Sequence, residues 1–345
     1  MHDTVVFIGR FQPLHLGHEA VIRAALEKGK QVIVAVGSSF ASRTTRNPFT
    51  FEERKHMLET VFCDEPRLKV VPIADYPYDD NKWVNAVRKQ VAKHTKPTDS
   101  IALIGYAKDE TSYYLNIFRD WDSINVPGHE KLNATDLRVE LFSIVLEWEL
   151  YNNELLCNGK TLSSRMISIL DKLVVKPEFV QLSKEYALIQ TYKEAWSVAP
   201  YEPTFHTVDA LVVQSGHVLL VKRKAAPGIG LWALPGGFLN PKETTKDGAL
   251  RELREETKIK VSQTILESSI KGKQVFDEPN RSTRGRTITT AFHFQLSDKF
   301  DFPKVKGSDD AEKAKWVPFE RIRSQDMFED HYHIIDYFLN IAGDA

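Results

Sequence analysis

Two groups of residues in this 345-residue chain have types and spacings that could do chemistry. The first is GRFQPLHLGH at residues 9–18, directly after the apolar run Val5-Val6-Phe7-Ile8. Gly9 lets the backbone turn sharply off a strand, Pro13 stiffens the loop, and His15 and His18 stand three residues apart where a helical pattern starts. A helix N-terminus offers free N–H groups and the positive end of a dipole, so histidine donors added there would grip a polyphosphate. A turn with two exposed histidines is the plain alternative, and a metal site would need a third ligand that the neighbouring sequence does not offer. The second group is Glu252, Glu255 and Glu256, which share one face of a helix. Like charges at this spacing cost an isolated helix roughly 0.2–0.5 kcal/mol per pair. Either Arg251 and Arg254 offset them on a solvated face, or they hold a hard divalent cation through oxygen. The fixed placement of Pro235-Gly236-Gly237 and Glu243 ahead of that helix favours the cation.

Different elements must position the two groups. The first part of the chain alternates strand and helix: strands over Thr4–Ile8, Gln31–Val36, Leu68–Ile73 and Ile101–Ile104, and helices over His18–Lys28, Phe51–Phe62, Lys82–His94 and Thr111–Phe118. That alternation predicts a parallel sheet covered by helices, with ligands bound beyond the carboxyl ends of the strands. GRFQPLHLGH follows the first strand, which is that position. From Asp136 to about Trp196 the pattern is helical and includes the aromatic-dotted stretch LSKEYALIQTYKEAW. APYEPTF at 199–205 reads as a linker. Beyond it come two strands joined at Gln214-Ser215-Gly216, a strand in TITTAFHFQL, a helix over Thr245–Glu256 and a closing helix over His331–Ile341. The expected organisation is a domain over 1–182, a helical linker over 183–202 and a second domain over 203–345.

Composition narrows the function classes. A hydrophobic content of 42% supplies packed cores, and a net charge of −1 removes a broad electrostatic case for nucleic acid while leaving small anions open. Cys63 and Cys157 lack metal-like spacing and fit a reduced, cytoplasmic protein. The start lacks a signal-type pattern, and no apolar run approaches the roughly 20 residues that span a bilayer. A soluble protein is expected, with no membrane partner and a homo-oligomer left open.

The first motif resembles the G-x-F-x-P-x-H-x-G-H signature of nucleotidyltransferases through Gly9, Phe11, Pro13, His15, Gly17 and His18. A second signature of that family, near S-x-T-x-x-R, is similar to NATDLR at 133–138, with Asn133 in place of serine and Thr135 and Arg138 retained. Within the family, GRFQP, GSSFASRTTRNPFTFEER at 37–54 and GYAKDETSYYLNIF at 105–118 look like the archaeal-type nicotinamide mononucleotide (NMN) adenylyltransferases. The resemblance implies a Rossmann-like α/β fold and adenylyl transfer from ATP to NMN. By carry-over, His15, His18 and Arg138 serve the reaction. Arg10, Arg46 and Arg138 contact triphosphate, Gly9, Phe11 and Thr135 complete the ATP/NMN site, and Trp83 and Asn85 face the nicotinamide end. For Trp83, core packing stays an equal alternative. The nucleophile is a phosphate already ionised at neutral pH, so fixed cations and positioning should supply most of the catalysis, with Mg²⁺ bridging phosphate oxygens.

The second group resembles the Nudix box, G-x5-E-x7-R-E-U-x-E-E-x-G-U, where U is aliphatic. Gly237, Glu243, Arg251, Glu252, Leu253, Glu255, Glu256 and Ile259 match, and Lys258 stands where the family has glycine, at the helix C-cap. The resemblance implies an α/β/α sandwich with a mixed sheet that hydrolyses a nucleoside diphosphate derivative with metal-activated water. Glu252, Glu255, Glu256 and the Gly236 carbonyl would hold Mg²⁺ or Mn²⁺, Arg251 would orient a glutamate, and Asp309, Asp310 or Glu312 would add an acid. Arg281, Arg284 and Arg286 form either a solvated basic loop or phosphate contacts; the resemblance implies ADP-ribose contacts at Arg223, Arg284 and Arg286. The whole chain resembles bifunctional NMN adenylyltransferase/Nudix hydrolases, in which the second domain cleaves ADP-ribose. The alternatives for that domain are action on NAD(H) or another nucleoside diphosphate, or service as a non-catalytic ADP-ribose sensor.

Overall fold

The computed structural model describes residues 1–105, 117–126, 132–151, 161–307 and 311–341, without the side chains of 150, 151, 311 and 312. The chain forms two compact units, Met1–Tyr186 and Ala187–Ala345. In the first, β1 (His2–Gly9), β2 (Gly29–Val36), β3 (Leu68–Pro72), β4 (Ile101–Gly105) and β5 (Asp122–Asn125) make one parallel sheet in the order β3-β2-β1-β4-β5. The helices between them are α1 (Leu16–Lys28), α2 (Phe51–Val61) and α3 (Asp80–Ala92). Alternate residues of each strand feed opposite cores, as the pleat requires. Val5, Phe7, Val32 and Val34 join residues of α1 and α2 on one face, whereas Val6, Ile8, Ile33 and Ala35 join Val87 and Val91 of α3 on the other. The strand order reverses at β1, between β2 and β4, and the loop after β1 therefore opens at a topological switch point.

After β5 come α4 (Ala134–Tyr151), α5 (Ser164–Leu173) and α6 (Pro177–Trp196). Phe179, Leu182 and Tyr186 of α6 pack on the first core, and the division between the units falls inside this helix. The expected linker at 183–202 is thus helical through Trp196.

The second unit is built on β6 (Phe205–Gln214), β7 (His217–Arg223), β8 (Trp232–Ala233), β9 (Gly236–Phe238), β10 (Ile270–Phe276), β11 (Thr287–Gln295) and β12 (Ala311–Pro318), with α7 (Thr245–Thr257), α8 (Gln263–Ser268) and α9 (His331–Leu339). Its main path runs β10-β11-β6-β7-β12, with β8 on β7 and β9 on β6. β11 pairs with β6 in parallel and the remaining pairs are antiparallel, which makes the sheet mixed. Phe292 and Phe294 of β11 pack with Leu250 and Leu253 of α7. The intervening His293 lies against Phe338 of α9, its ring centroid 5.6 Å away. Helices therefore cover both faces, as a sandwich requires.

Several elements exceed the sequence reading. β5 is DSIN and carries no apolar run, while β10 alternates lysines with its inward residues at a sheet edge; neither has the pattern of a buried strand. The helix expected over Thr111–Phe118 lies outside the described residues as far as 116, as do Asp309, Asp310 and the side chain of Glu312. Among the described residues, no helix is long and apolar enough to cross a membrane.

Candidate active sites

His15 is the N-cap of α1, and its Nδ1 accepts a 3.4 Å hydrogen bond from the His18 amide. That bond places the proton of a neutral His15 on Nε2, as a donor. The two imidazoles stack with centroids 3.7 Å apart, and Phe11 closes on His18 at 4.9 Å. Gly9 is required here, because a Cβ would stand 2.9 Å from the Phe11 ring. Burial, reinforced by His15, holds the pKa of His18 well below 6.5, so its imidazole is neutral at pH 7. Its Nδ1 is buried and has no partner among the described residues.

Cations converge beside the histidines. Arg138 of α4 is buried and donates to the Gln12 carbonyl at 2.9 Å and to Thr135 Oγ1 at 3.0 Å. Burial, then the nearby charges of Arg10 and Arg46, lowers its pKa to about 10. Arg10 is lowered in turn by burial and by Arg46, with Asp75 opposing. Arg10, Arg46 and Arg138 therefore feel one another's charge, a cost that folding meets without an anion and that a polyphosphate would relieve. Asn133 takes over a capping function for α4, its Oδ1 accepting from the Thr135 amide at 2.7 Å.

Two supports escaped the sequence reading. Arg54 of α2 is fully buried and donates to the carbonyls of Arg10 at 2.6 Å, Gly37 at 2.7 Å and Ser38 at 3.0 Å, which straps together the loops after β1 and β2. Gln12 grips Phe49 on both backbone groups, at 2.9 and 3.0 Å, and so fixes the segment that follows Arg46. A buried arginine and a buried amide in charged or polar stretches read as surface from sequence. Trp83 lies on α3 and packs against the core that includes Phe118, with centroids 6.0 Å apart, while Asn85 is exposed on the same helix.

In the second unit, Arg251 organises the acidic face of α7. It forks onto Glu243 at 2.6 and 3.0 Å and reaches Glu252 at 2.8 Å and Glu255 at 3.0 Å. The guanidinium holds Glu243 down to a pKa of about 2, helped by the Asn240 amide. Its own proton is held more tightly in return. Glu256 faces inward instead. Its Oε2 accepts from the Gly236 amide at 3.0 Å, yet burial, with the charges of Glu252 and Asp209, raises its pKa to about 8. Gly237 lies close under Glu252, where a Cβ would stand 2.5 Å from Oε1 and would displace the carboxylate. A Cβ at Gly236 would likewise collide with the Val208 carbonyl and Asp209.

Glu256, Gly236 and Gly237 line a cleft with Asp209, Arg223, Phe238, Arg284, Phe328 and His331. Arg223 lies over Phe328, 3.9 Å from the ring centroid, and Arg284 lies 5.2 Å from that of Phe238. Arg284 Nε is buried with no hydrogen-bond partner among the described residues. The structure thus brings two of the three expected arginines to the cleft. Arg286 is not among its lining residues and donates instead to the Asp277 carbonyl at 2.5 Å. Arg281 of the same loop forms a buried fork on Asp330 at 2.7 and 2.8 Å. Sequence reading also passed over Asp209 and His331. The two are 4.0 Å apart, and His331 Nδ1 accepts from the Leu234 amide at 2.9 Å.

The donor chemistry fits a hard divalent cation: carboxylates at Glu252 and Glu256 crowd a glycine turn, and desolvation of the half-buried Glu256 outweighs the Gly236 amide and the charge of Arg223. Among the described residues, no three acidic, histidine or cysteine side chains already form a closed cage.

Comparison with known proteins follows the same division. The cytidylyltransferase-like family model matches residues 6–122, and the NUDIX domain model matches residues 203–338. A nicotinamide/nicotinic acid mononucleotide adenylyltransferase of Acinetobacter baylyi is 40% identical over 139 residues, which are 39% of this chain and 73% of that protein. An ADP-ribose pyrophosphatase of Methanocaldococcus jannaschii is 34% identical over 133 residues, 38% of this chain and 70% of that one. The crystal structure of a bifunctional NMN adenylyltransferase/ADP ribose pyrophosphatase from Francisella tularensis, complexed with AMP and a Mn ion, superposes with a TM-score of 0.89 at 38% identity, covering 99% of this chain and all of that one. The chain belongs to the family of bifunctional proteins that join a cytidylyltransferase-like NMN adenylyltransferase domain to a NUDIX ADP-ribose pyrophosphatase domain.

Proposed function

We propose that the first unit transfers the adenylyl group of ATP to NMN, releasing pyrophosphate and forming NAD. The observation that carries this reading is the convergence of Arg10, Arg46 and Arg138 on the loop that bears His15 and His18, at the switch point of the sheet. A phosphate oxygen of NMN attacks the α-phosphorus of ATP as the bond to pyrophosphate breaks. The three arginines offset repulsion between the anions and the charge that develops on the leaving group. His15 donates from Nε2. Trp83 and Asn85 would face the nicotinamide end, and Gly9, Phe11 and Thr135 would belong to the ATP and NMN contacts.

The second unit, on this proposal, hydrolyses ADP-ribose to AMP and ribose 5-phosphate. Glu252 and Glu256, with Glu255 and the Gly236 carbonyl, would hold the cation, and Arg251 orients the acidic face. Mg²⁺, or Mn²⁺ in its place, would neutralise the diphosphate and lower the pKa of the attacking water. Arg223, Arg284 and Arg286 would contact ADP-ribose, the first two from the wall of the cleft. A non-catalytic sensor would not need Arg251 to array three glutamates beside the cleft. Chromatography of products tests both halves: ATP with NMN should yield NAD and pyrophosphate, and ADP-ribose alone should yield AMP and ribose 5-phosphate. Absence of either product pair from folded protein overturns that half.

A further inference from the structure

The aromatic stretch at the end of α6 enters neither reaction, yet it is tied to the second cleft by continuous ring contacts. Trp196 meets Phe205 edge-on with centroids 5.2 Å apart, and Tyr192 reaches the same ring at 5.7 Å. Phe205 in turn meets Phe238 edge-on at 5.9 Å. It also supports the arginine loop from two sides. Its amide donates to the Arg286 carbonyl at 2.8 Å, and a Cβ on Gly285, whose φ is +145°, would stand 3.4 Å from the Phe205 ring. Phe205 thus touches both walls of one feature, since Arg284 follows Phe238 as its cation–π partner at 5.2 Å and both line the cleft. Phe238 remains 41% exposed and Trp196 44% exposed, so neither ring is held by deep burial, and their mutual contacts set their orientation.

We infer that Trp196 and Tyr192 are positioning residues of the second site: through Phe205 they fix Phe238 and Arg284 in the geometry that binds a nucleoside diphosphate. This rests on the reading of that cleft as the ADP-ribose site. The last turns of α6 are then part of the hydrolase, which agrees with a compact unit that begins at Ala187. The ring contacts act on the binding wall, whereas the link from Phe238 to the glutamate face of α7 runs through its backbone carbonyl, which accepts from Arg251 Nη2 at 3.2 Å. The expected effect of losing a ring contact therefore falls on KM and not on kcat.

The test uses the full chain carrying Trp196→Ala or Trp196→Phe, with two readouts. Calorimetric binding of ADP-ribose without divalent metal excludes turnover, and steady-state hydrolysis with Mg²⁺ separates KM from kcat. Trp196→Ala should raise both Kd and KM on the order of fivefold with kcat within about twofold, as expected for loss of one aromatic contact. Trp196→Phe, which keeps an aromatic edge, should restore both, and NAD synthesis should be unchanged in each. Wild-type affinity in Trp196→Ala overturns the inference, as does a fall in kcat alone. Failure of the unsubstituted chain to bind ADP-ribose overturns the reading of the cleft itself.

Discussion

Arg138 reaches back across 126 positions to donate from Nη1 to the carbonyl of Gln12 at 2.9 Å, so the late helix α4 and the first phosphate loop are locked by one cation. Its second amino group holds Thr135 at 3.0 Å, and the planar fork is what lets a single side chain do both. Lysine keeps the charge and loses the fork. Arg138→Lys should therefore lower kcat/KM for NAD synthesis by roughly 10²-fold while ADP-ribose hydrolysis stays within about twofold. A lysine variant with wild-type NAD synthesis would show that charge alone suffices there.

His18 carries a pH signature. Its folded pKa lies below its unfolded value, so the unfolded chain takes up a proton first as pH falls. The stability that His18 contributes is complete above 6.5 and is lost as pH falls from there toward the folded pKa. Urea denaturation should show wild type losing stability more steeply than His18→Ala between pH 6.5 and 5. The same substitution should cut NAD synthesis by at least about 10²-fold at pH 7.5 and spare hydrolysis. Parallel denaturation slopes would mean that the imidazole is solvated.

Both active-site motifs were legible because their chemistry is local. A glycine turn with two histidines, and glutamates three and four apart on one helix, stand out by spacing. The resemblance to the two family signatures is what favours phosphate over an exposed turn and a cation over a solvated face. The supports were not legible, since each bridges distant segments. Arg54 binds the Arg10 carbonyl across 44 positions, Arg281 pairs with Asp330 across 49, and the Leu234 amide meets His331 across 97. No periodicity encodes such pairs. A basic loop likewise gives no sign of which guanidinium turns to its own backbone, as Arg286 does to the Asp277 carbonyl. The parallel sheet was legible from its apolar strands, whereas DSIN and the lysine-bearing edge strand β10 lack that signal.

Lys258 ends α7 in the left-handed conformation, at φ 48° and ψ 30°. A side chain there costs about 1–2 kcal/mol, which glycine avoids at some expense in unfolded-state entropy. Lys258→Gly should raise unfolding stability by about 0.5–1 kcal/mol in chemical denaturation, with hydrolysis unchanged. A destabilised glycine variant would mean that the lysine side chain makes a compensating contact.

Glu256 is held at the cleft by the Gly236 amide in spite of its burial. Glutamine retains an oxygen to accept that bond and removes the charge. Glu256→Gln should lose at least about 10²-fold in hydrolysis, because the charge that binds the cation is gone. Its metal-free melting temperature at pH 9, where wild-type Glu256 is ionised, should equal or exceed that of wild type. Retained hydrolysis, or a large fall in melting temperature, would contradict a metal-binding role for this carboxylate.

The central claim is that one chain runs two displacements with different nucleophiles: a nucleotide phosphate in the first unit and water in the second. ³¹P NMR in ¹⁸O-enriched water, on a single sample supplied with ATP, NMN, ADP-ribose and Mg²⁺, tests this most directly. NAD and the pyrophosphate formed with it should carry no label, while AMP or ribose 5-phosphate from ADP-ribose should show the isotope shift of one ¹⁸O. Label in the pyrophosphate, or hydrolysis products without label, would contradict the account.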